Sequence, residues 1–178
     1  MRKKIIIGII ILLLIALGVF AYFNVGIETE YTPETEIEES EYRNTIISLY
    51  FQNKESKELQ VETRLIDSKE LLDNPYSKLV TLLLEGTTLE TLETAIPKET
   101  KLLGTALEKD CLVVNLSKEF IENQTGDAVA KVNSIYSIVN TVTELKEVTS
   151  VKILIDGEAS SGFEADGIKF DNTFVRIK

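Results

Sequence analysis

The stretch that decides the fold is SIYSIVNTVTELKEVTSVKILIDGE, residues 134–158. It holds two periods in succession. Ile135, Val139 and Val142 recur at steps of three and four, and Ala128 and Val132 extend the same face upstream, with Tyr136 and Ile138 alongside. That is the repeat of an amphipathic helix, and Thr125-Gly126-Asp127 stands just before it. From Val148 the period becomes two: Val151, Ile153 and Ile155 share one side of a strand, and Asp156-Gly157 ends it as a turn.

Upstream, two short β-rich runs flank Lys109-Asp110. Leu103, Thr105 and Leu107 align in one, and Leu112, Val114 and Leu116 in the other, which predicts a tight hairpin. Asn74-Pro75 is a helix start: Asn74 can cap, and the missing N–H of Pro75 costs nothing at the first helical position. Tyr76, Leu79, Val80, Leu83 and Leu84 form its face, and Gly86 fits just past its end. Thr87–Glu99 reads as a turn with a short helix through Leu89–Leu92. Earlier still, Thr45–Gln52 alternates with Ile47, Leu49 and Phe51 inward, and Leu59–Ile66 follows after a polar loop. Leu59, Val61 and Leu65 supply the period of two in that second strand, so Arg64 is expected on its polar side. The tail after Gly162 predicts an edge strand near Thr173–Ile177.

The expected order is β-β-α-β-β-α-β in one α+β domain over residues 44–178. Neither helix is apolar all round. A small sheet of three to four strands with both helices packed on one face is therefore expected.

Residues 5–23, IIIGIIILLLIALGVFAYF, carry no charge. As a helix this segment spans about 28 Å, close to the thickness of a bilayer's hydrocarbon core. Residues 1–4 contain Arg2, Lys3 and Lys4, and glutamates follow the segment. The expectation is a transmembrane signal anchor from Ile5 to Phe23, with a cytoplasmic N-terminus and an extracytoplasmic domain. Cleavage after Val19-Phe20-Ala21 is the competing reading, disfavoured by the length of the run. No cysteine follows the segment, which argues against lipid attachment. Residues 24–43 are rich in Glu and Thr and hold Pro33; they read as a flexible acidic stalk.

Net charge is −10. The basic N-terminus holds three positive charges, and Glu28–Arg43 holds seven glutamates and one arginine, which leaves −7 on the rest. Such a domain is repelled by nucleic acid, so no nucleic-acid partner is expected. The chain has no histidine, which removes Ser-His and Cys-His catalysis and most zinc sites. Its one cysteine, Cys111, forms no disulfide within the chain and reads as a half-buried free thiol. No Asp or Glu stands in an apolar run that would raise its pKa for acid catalysis. The chain is expected not to be an enzyme, with no catalytic residue, cofactor or metal.

Several phrases together resemble one family. Leu49-Tyr50-Phe51, Glu62-Thr63-Arg64 and Leu82-Leu83-Leu84-Glu85-Gly86 are similar to the first half of a GerM (sporulation and spore germination) domain. Ile96-Pro97, Lys101-Leu102-Leu103 and Val114-Asn115-Leu116-Ser117 with Phe120 continue the likeness, and Ser134–Leu145 followed by Val148–Glu158 completes it. Thr87 departs from the proline often found there, and one domain stands where sporulation members can have two. The resemblance implies a fold like the ring-building motifs of envelope complexes. It also implies a role in assembly, with envelope proteins or further copies of the chain as partners, beside the membrane that holds the N-terminal helix. A module binding cell-wall glycan or a peptide is the alternative.

Four residues are singled out as a possible interaction surface: Arg64, Asn140, Thr141 and Asp156. Each also has a plainer reading. Arg64 pairs with Glu62 across a strand face, Thr141 satisfies local backbone groups near its helix end, and Asp156 is a turn residue. Tyr50 and Tyr136 sit in periodic patterns and read as core.

Overall fold

The computed structural model describes residues 13–17, 19–20, 22, 44–159, 162–163 and 166–177. The chain divides into two compact units, Met1–Glu39 and Ser40–Lys178. In the first, residues 13–17, 19, 20 and 22 are helical, and Leu13, Leu14, Ile15, Leu17 and Val19 present exposed apolar side chains. Among the described residues no helix is long and apolar enough to cross a membrane. Arg2, Lys3, Lys4, both ends of the expected anchor (Ile5 and Phe23) and the stalk at 24–43 lie outside the described residues.

The second unit is an α+β fold of six strands and three α-helices among the described residues. In chain order they are β1 (Asn44–Asn53), β2 (Leu59–Asp67), α1 (Pro75–Glu85), β3 (Leu92–Glu93), β4 (Leu102–Glu108), β5 (Cys111–Leu116), α2 (Glu119–Glu122), α3 (Ala128–Val142) and β6 (Ser150–Ile155). The helix starts are where the caps place them. The Asn74 side chain accepts from Ser77 N–H with Pro75 in the first turn, and the Asp127 side chain accepts from Ala130 N–H. The β4–β5 hairpin turns at Lys109, whose φ is +62°.

The single sheet expected from the sequence is corrected to two. One has the order β2-β1-β3, the other β4-β5-β6. Their separation follows from what each hairpin does next. After α1 the chain returns as β3, which pairs with the far side of β1 at Gln52 and Asn53. After the second hairpin, α3 carries the chain across so that β6 lies parallel to β5. The two long helices are not laid on a single sheet, since α1 reaches both. They pack on each other, α3 against β1 and α1 against both β1 and β4.

The core lies between these layers. Leu49 and Phe51 of β1, Val80 and Leu83 of α1, Leu112, Val114 and Leu116 of β5, Ile138, Val139 and Val142 of α3, and Val151 and Ile153 of β6 are fully buried. At roughly 25 cal/mol per Å² of apolar surface removed from water, each such side chain contributes about 1.5–3 kcal/mol.

Three local expectations are also corrected. Leu89–Leu92 forms no helix; Leu92 begins β3, and the residues before it are a turn. The tail makes no edge strand. It touches the sheet at one bridge, Val151 with Phe174, and packs instead as an aromatic cluster. Phe170 is fully buried, with ring centroids 5.5 Å from Phe163, 5.8 Å from Phe174 and 6.1 Å from Phe120. Tyr136 joins edge-on to Phe174 at 6.2 Å. Gly162 admits this packing: its φ is +80°, and a Cβ there would stand 2.4 Å from the carbonyl oxygen of Ile168.

The third correction is the inward face of β2. Antiparallel partners share a face, and β1 pairs Ile47 with Arg64 and Leu49 with Glu62. Glu62 is therefore inside, only 2% exposed, whereas Val61 and Leu65 are 49% and 65% exposed.

Because the tail completes the core, Phe170→Ala should cost about 3–5 kcal/mol, as large-to-small aromatic changes do in cores. Urea unfolding followed by circular dichroism measures it. A cost under about 0.5 kcal/mol, the range of a surface change, would show the tail to be an appendage.

Candidate interaction surface

Arg64 is held inside the fold. Its Nε donates to Glu62 Oε1 at 2.6 Å and its Nη2 to the Gly86 carbonyl at 2.6 Å, while the guanidinium lies 5.6 Å from the centre of the Phe51 ring. Glu62 also accepts from the hydroxyls of Thr87 and Thr88 and from Thr88 N–H. Burial by itself raises the Glu62 pKa. The hydrogen bonds from Arg64, Thr87 and Thr88 outweigh it and hold the carboxyl at about 2. So one carboxylate does stand in a buried setting, against expectation, and its surroundings keep it ionised rather than make it an acid.

Thr141 is buried and does not serve its own helix end. Its Oγ1 accepts from Tyr50 N–H at 3.0 Å, covering the edge of β1 where β3 does not reach. Asn140, 6% exposed, has its Oδ1 buried with no hydrogen-bond partner among the described residues. It lines a cleft of about 460 Å³ together with Tyr50, Lys57, Leu59, Asn133 and Arg176. Asp156 is exposed in a turn beyond β6, at φ +50°, with Gly157 N–H bound to Asn115 Oδ1 at 2.8 Å. The structure therefore separates the four residues. Arg64 and Thr141 are internal, Asn140 opens on the cleft, and Asp156 belongs to the other sheet.

The exposed features that cluster are different ones. Ile46, Val61 and Leu65 are 71%, 49% and 65% exposed. The ladder pairs Ile46 with Leu65, Ser48 with Thr63 and Tyr50 with Val61, so these side chains stand on the outer face of the β1–β2 ribbon. Tyr50 is not core. Its hydroxyl donates to Glu144 Oε1 at 2.7 Å and accepts from Arg176 Nη2. Arg176 also donates to Glu144 at 2.5 Å and lies 5.2 Å from the centre of the Tyr50 ring. Burial and then the Glu144 carboxylate push the Tyr50 pKa up; the bonds from Tyr50 and Arg176 hold that of Glu144 down. Tyr136 packs against the core as expected, and Cys111 is a half-buried free thiol.

A family model described as "Germane: Sporulation and spore germination" matches residues 48–161, more than half the chain. The chain belongs to this family. The Germane match begins within β1, covers the later strands, the helices and the Glu62–Arg64 pair, and stops short of the tail after 161.

Solved structures share the fold. The first GerMN domain of the sporulation protein GerM from Bacillus subtilis superposes with a TM-score of 0.62 at 15% identity, covering 74% of this chain and 98% of that one. The tandem GerMN domains of the same protein give 0.60 at 19% identity, over 76% of this chain and 47% of that one. A structure from Clostridium perfringens described as a "Putative Lipoprotein" gives 0.52 at 24% identity, over 75% and 89%. No curated protein sequence matches the chain.

Because Glu62 is depressed from 4.5 in the unfolded chain to about 2, its stabilisation is fully present above about pH 5 and is lost as pH falls toward 2. Acid titration of the unfolding free energy should show that loss, amounting to no more than about 3 kcal/mol for this group. Glu62→Gln should destabilise the domain by about 3 kcal/mol at pH 7 and flatten the profile, because the half-buried Arg64 then lacks its counter-charge. An unchanged acid limb in the Gln variant would refute the clamp.

Proposed function

We propose that the chain is a non-enzymatic, membrane-anchored extracytoplasmic module that holds together a cell-envelope complex in sporulation or spore germination. It does so by binding other envelope proteins through the outer face of β1 and β2. The observation that carries this reading is the set of exposed apolar side chains on the outer face of this hairpin: Ile46 directly opposite Leu65, and Val61 beyond Thr63 on the same face. Neighbouring exposed apolar side chains on an ordered strand pair are the kind of surface that protein partners cover. Family membership supports the cellular setting. The uncharged run at 5–23 behind three basic residues supports the anchor and its direction. The Clostridium perfringens protein of this fold is described as a "Putative Lipoprotein", which supports an anchored domain.

A second reading has one observation of its own. The buried, unpartnered Oδ1 of Asn140 in the cleft beside Tyr50 and Arg176 would accept from a ligand N–H or O–H. On that reading the domain binds a cell-wall glycan or a peptide.

The two are separated by one pair of variants. Ile46→Asp should abolish co-purification of envelope proteins with the full chain from sporulating cells while leaving thermal unfolding within a few degrees of wild type. Asn140→Ala should leave co-purification intact. Retention of partners by Ile46→Asp together with their loss in Asn140→Ala would move the function to the cleft.

A further inference from the structure

The outer edge of β2 is also unoccupied, and its sequence is complementary to itself. β2 stands at the end of its sheet, with β1 on one side and no strand on the other among the described residues. It is nine residues long and pairs with β1 without a bulge. None of its residues is Pro or Lys. The edge strand of the other sheet, β4, is protected differently: its register shifts between Leu102 and Gly104, and α1 lies against it. A long, unbulged edge without Pro or Lys lacks most of the devices that prevent pairing with another chain, and the inward charges it does carry, Glu62 and Arg64, are already paired with each other.

The phase of the hydrogen bonds shows which groups this edge offers. Tyr50 N–H points away from β2, toward Thr141, and Gln52 pairs with β3. Antiparallel ladders alternate, so Ile47, Leu49 and Phe51 are the β1 residues bonded to β2, through Arg64, Glu62 and Gln60. The N–H and C=O groups of Val61, Thr63 and Leu65 therefore face outward.

We infer that two copies of this chain pair through β2, antiparallel, about a two-fold axis at Thr63. That register sets Thr63 opposite Thr63 of the second copy and Val61 opposite its Leu65, each as a hydrogen-bonded pair. It sets Glu62 opposite Arg64 on the inner face. Centring the axis one residue either way would oppose Glu62 to Glu62 or Arg64 to Arg64, and like charges directly opposite are unfavourable in a ladder. The backbone phase allows all three of these centres, and charge selects the one at Thr63. The pairing lies in the plane of the sheet and leaves the outer face open. Ile46, Leu65, then Val61 and Tyr50 of the second copy form one continuous row across four strands. The inference deepens the assembly reading and rests on it for its purpose: the pairing would double the surface offered to a partner.

Cysteine cross-linking of the full chain in its membrane tests the register, in a background where Cys111→Ser removes the native thiol. Thr63→Cys should form a disulfide-linked dimer under mild oxidation. Val61→Cys alone and Leu65→Cys alone should not, but co-expressed they should link to each other. In this register two copies of position 61 lie about 13 Å apart, four residues along the strand. Position 63 meets its own copy within the ~7 Å that a disulfide spans, so Thr63→Cys should exceed either single variant about ten-fold. Leu72→Cys, on a residue 76% exposed elsewhere on the domain, controls for chance encounter. Equal cross-linking at 61, 63 and 72, or none at 63, would overturn the pairing. If partners are still lost in Ile46→Asp after such a result, the assembly reading survives without the dimer.

Discussion

A carboxylate almost wholly removed from water must be answered by donors, and the architecture of the first sheet follows from how Glu62 is answered. Its partners come from two places: Arg64 two residues along the same strand, and Thr87 and Thr88 from the turn that follows α1. Arg64 in turn donates to the carbonyl of Gly86, the residue that ends α1 at φ +97°. The pair therefore fixes the helix end and the start of the return loop at once. That loop then places β3 against β1. Without the pair the turn after α1 loses its polar anchor on the sheet, and β3 is left to its contacts with Gln52 and Lys57 and to the burial of Leu92.

The side of β1 turned away from β2 is covered by two devices in succession. Near Gln52 the far side of β1 pairs with β3. Where β3 stops, Thr141 takes over and accepts from Tyr50 N–H. This is why α3 is buried on more than its apolar stripe. Asn133, Ser134, Ser137, Asn140 and Thr141 are buried too, because this side of the helix takes the place of a strand beside β1. Asn133 belongs to the same seam, donating to Gln52 Oε1 at 2.6 Å and to the Lys57 carbonyl at 2.7 Å. A net gain of about 1 kcal/mol per satisfied hydrogen bond is small beside the core, but a buried donor left unmade costs more than that. The polar residues of α3 thus specify which side of the helix meets β1, a choice the apolar residues leave loose.

The elements that were legible in the sequence are those with local causes. Asn74-Pro75 and Asp127 start helices through side-chain caps, and Lys109-Asp110 turns a hairpin; each acts within a few residues. The period of Ile135, Val139 and Val142 marked the buried stripe of α3 correctly. Which strands share a sheet was not legible. Strands β1 and β3 are nearly forty residues apart, and nothing in Leu92-Glu93 marks it as a strand. The tail was also opaque, since Phe163, Phe170 and Phe174 follow neither period and are gathered by tertiary packing alone. Of the four residues proposed as a surface, Asn140 lines the larger cleft and Thr141 a smaller one, while Arg64 and Asp156 line neither.

The misread face of β2 carries the main physical lesson. Periodicity places Leu59, Val61 and Leu65 inward because they are apolar. The loop placed Gln52 opposite Leu59, so odd positions of β1 meet even positions of β2. Once Leu49 is inside, Glu62 must be inside, and the register could have been counted from the loop. The same constraint makes the interaction surface. A strand has only two faces, so putting Glu62 and Arg64 in the core sends Val61, Thr63 and Leu65 outward. Stability alone is a weak reason for that choice: a buried ion pair replaced by apolar residues of similar size is often neutral or better. What the pair achieves, and apolar substitutes would not, is a defined register with the apolar residues of β2 held outside on a rigid strand. The internal clamp and the outward row are therefore two consequences of one pairing, and a change that frees Glu62 should disturb both.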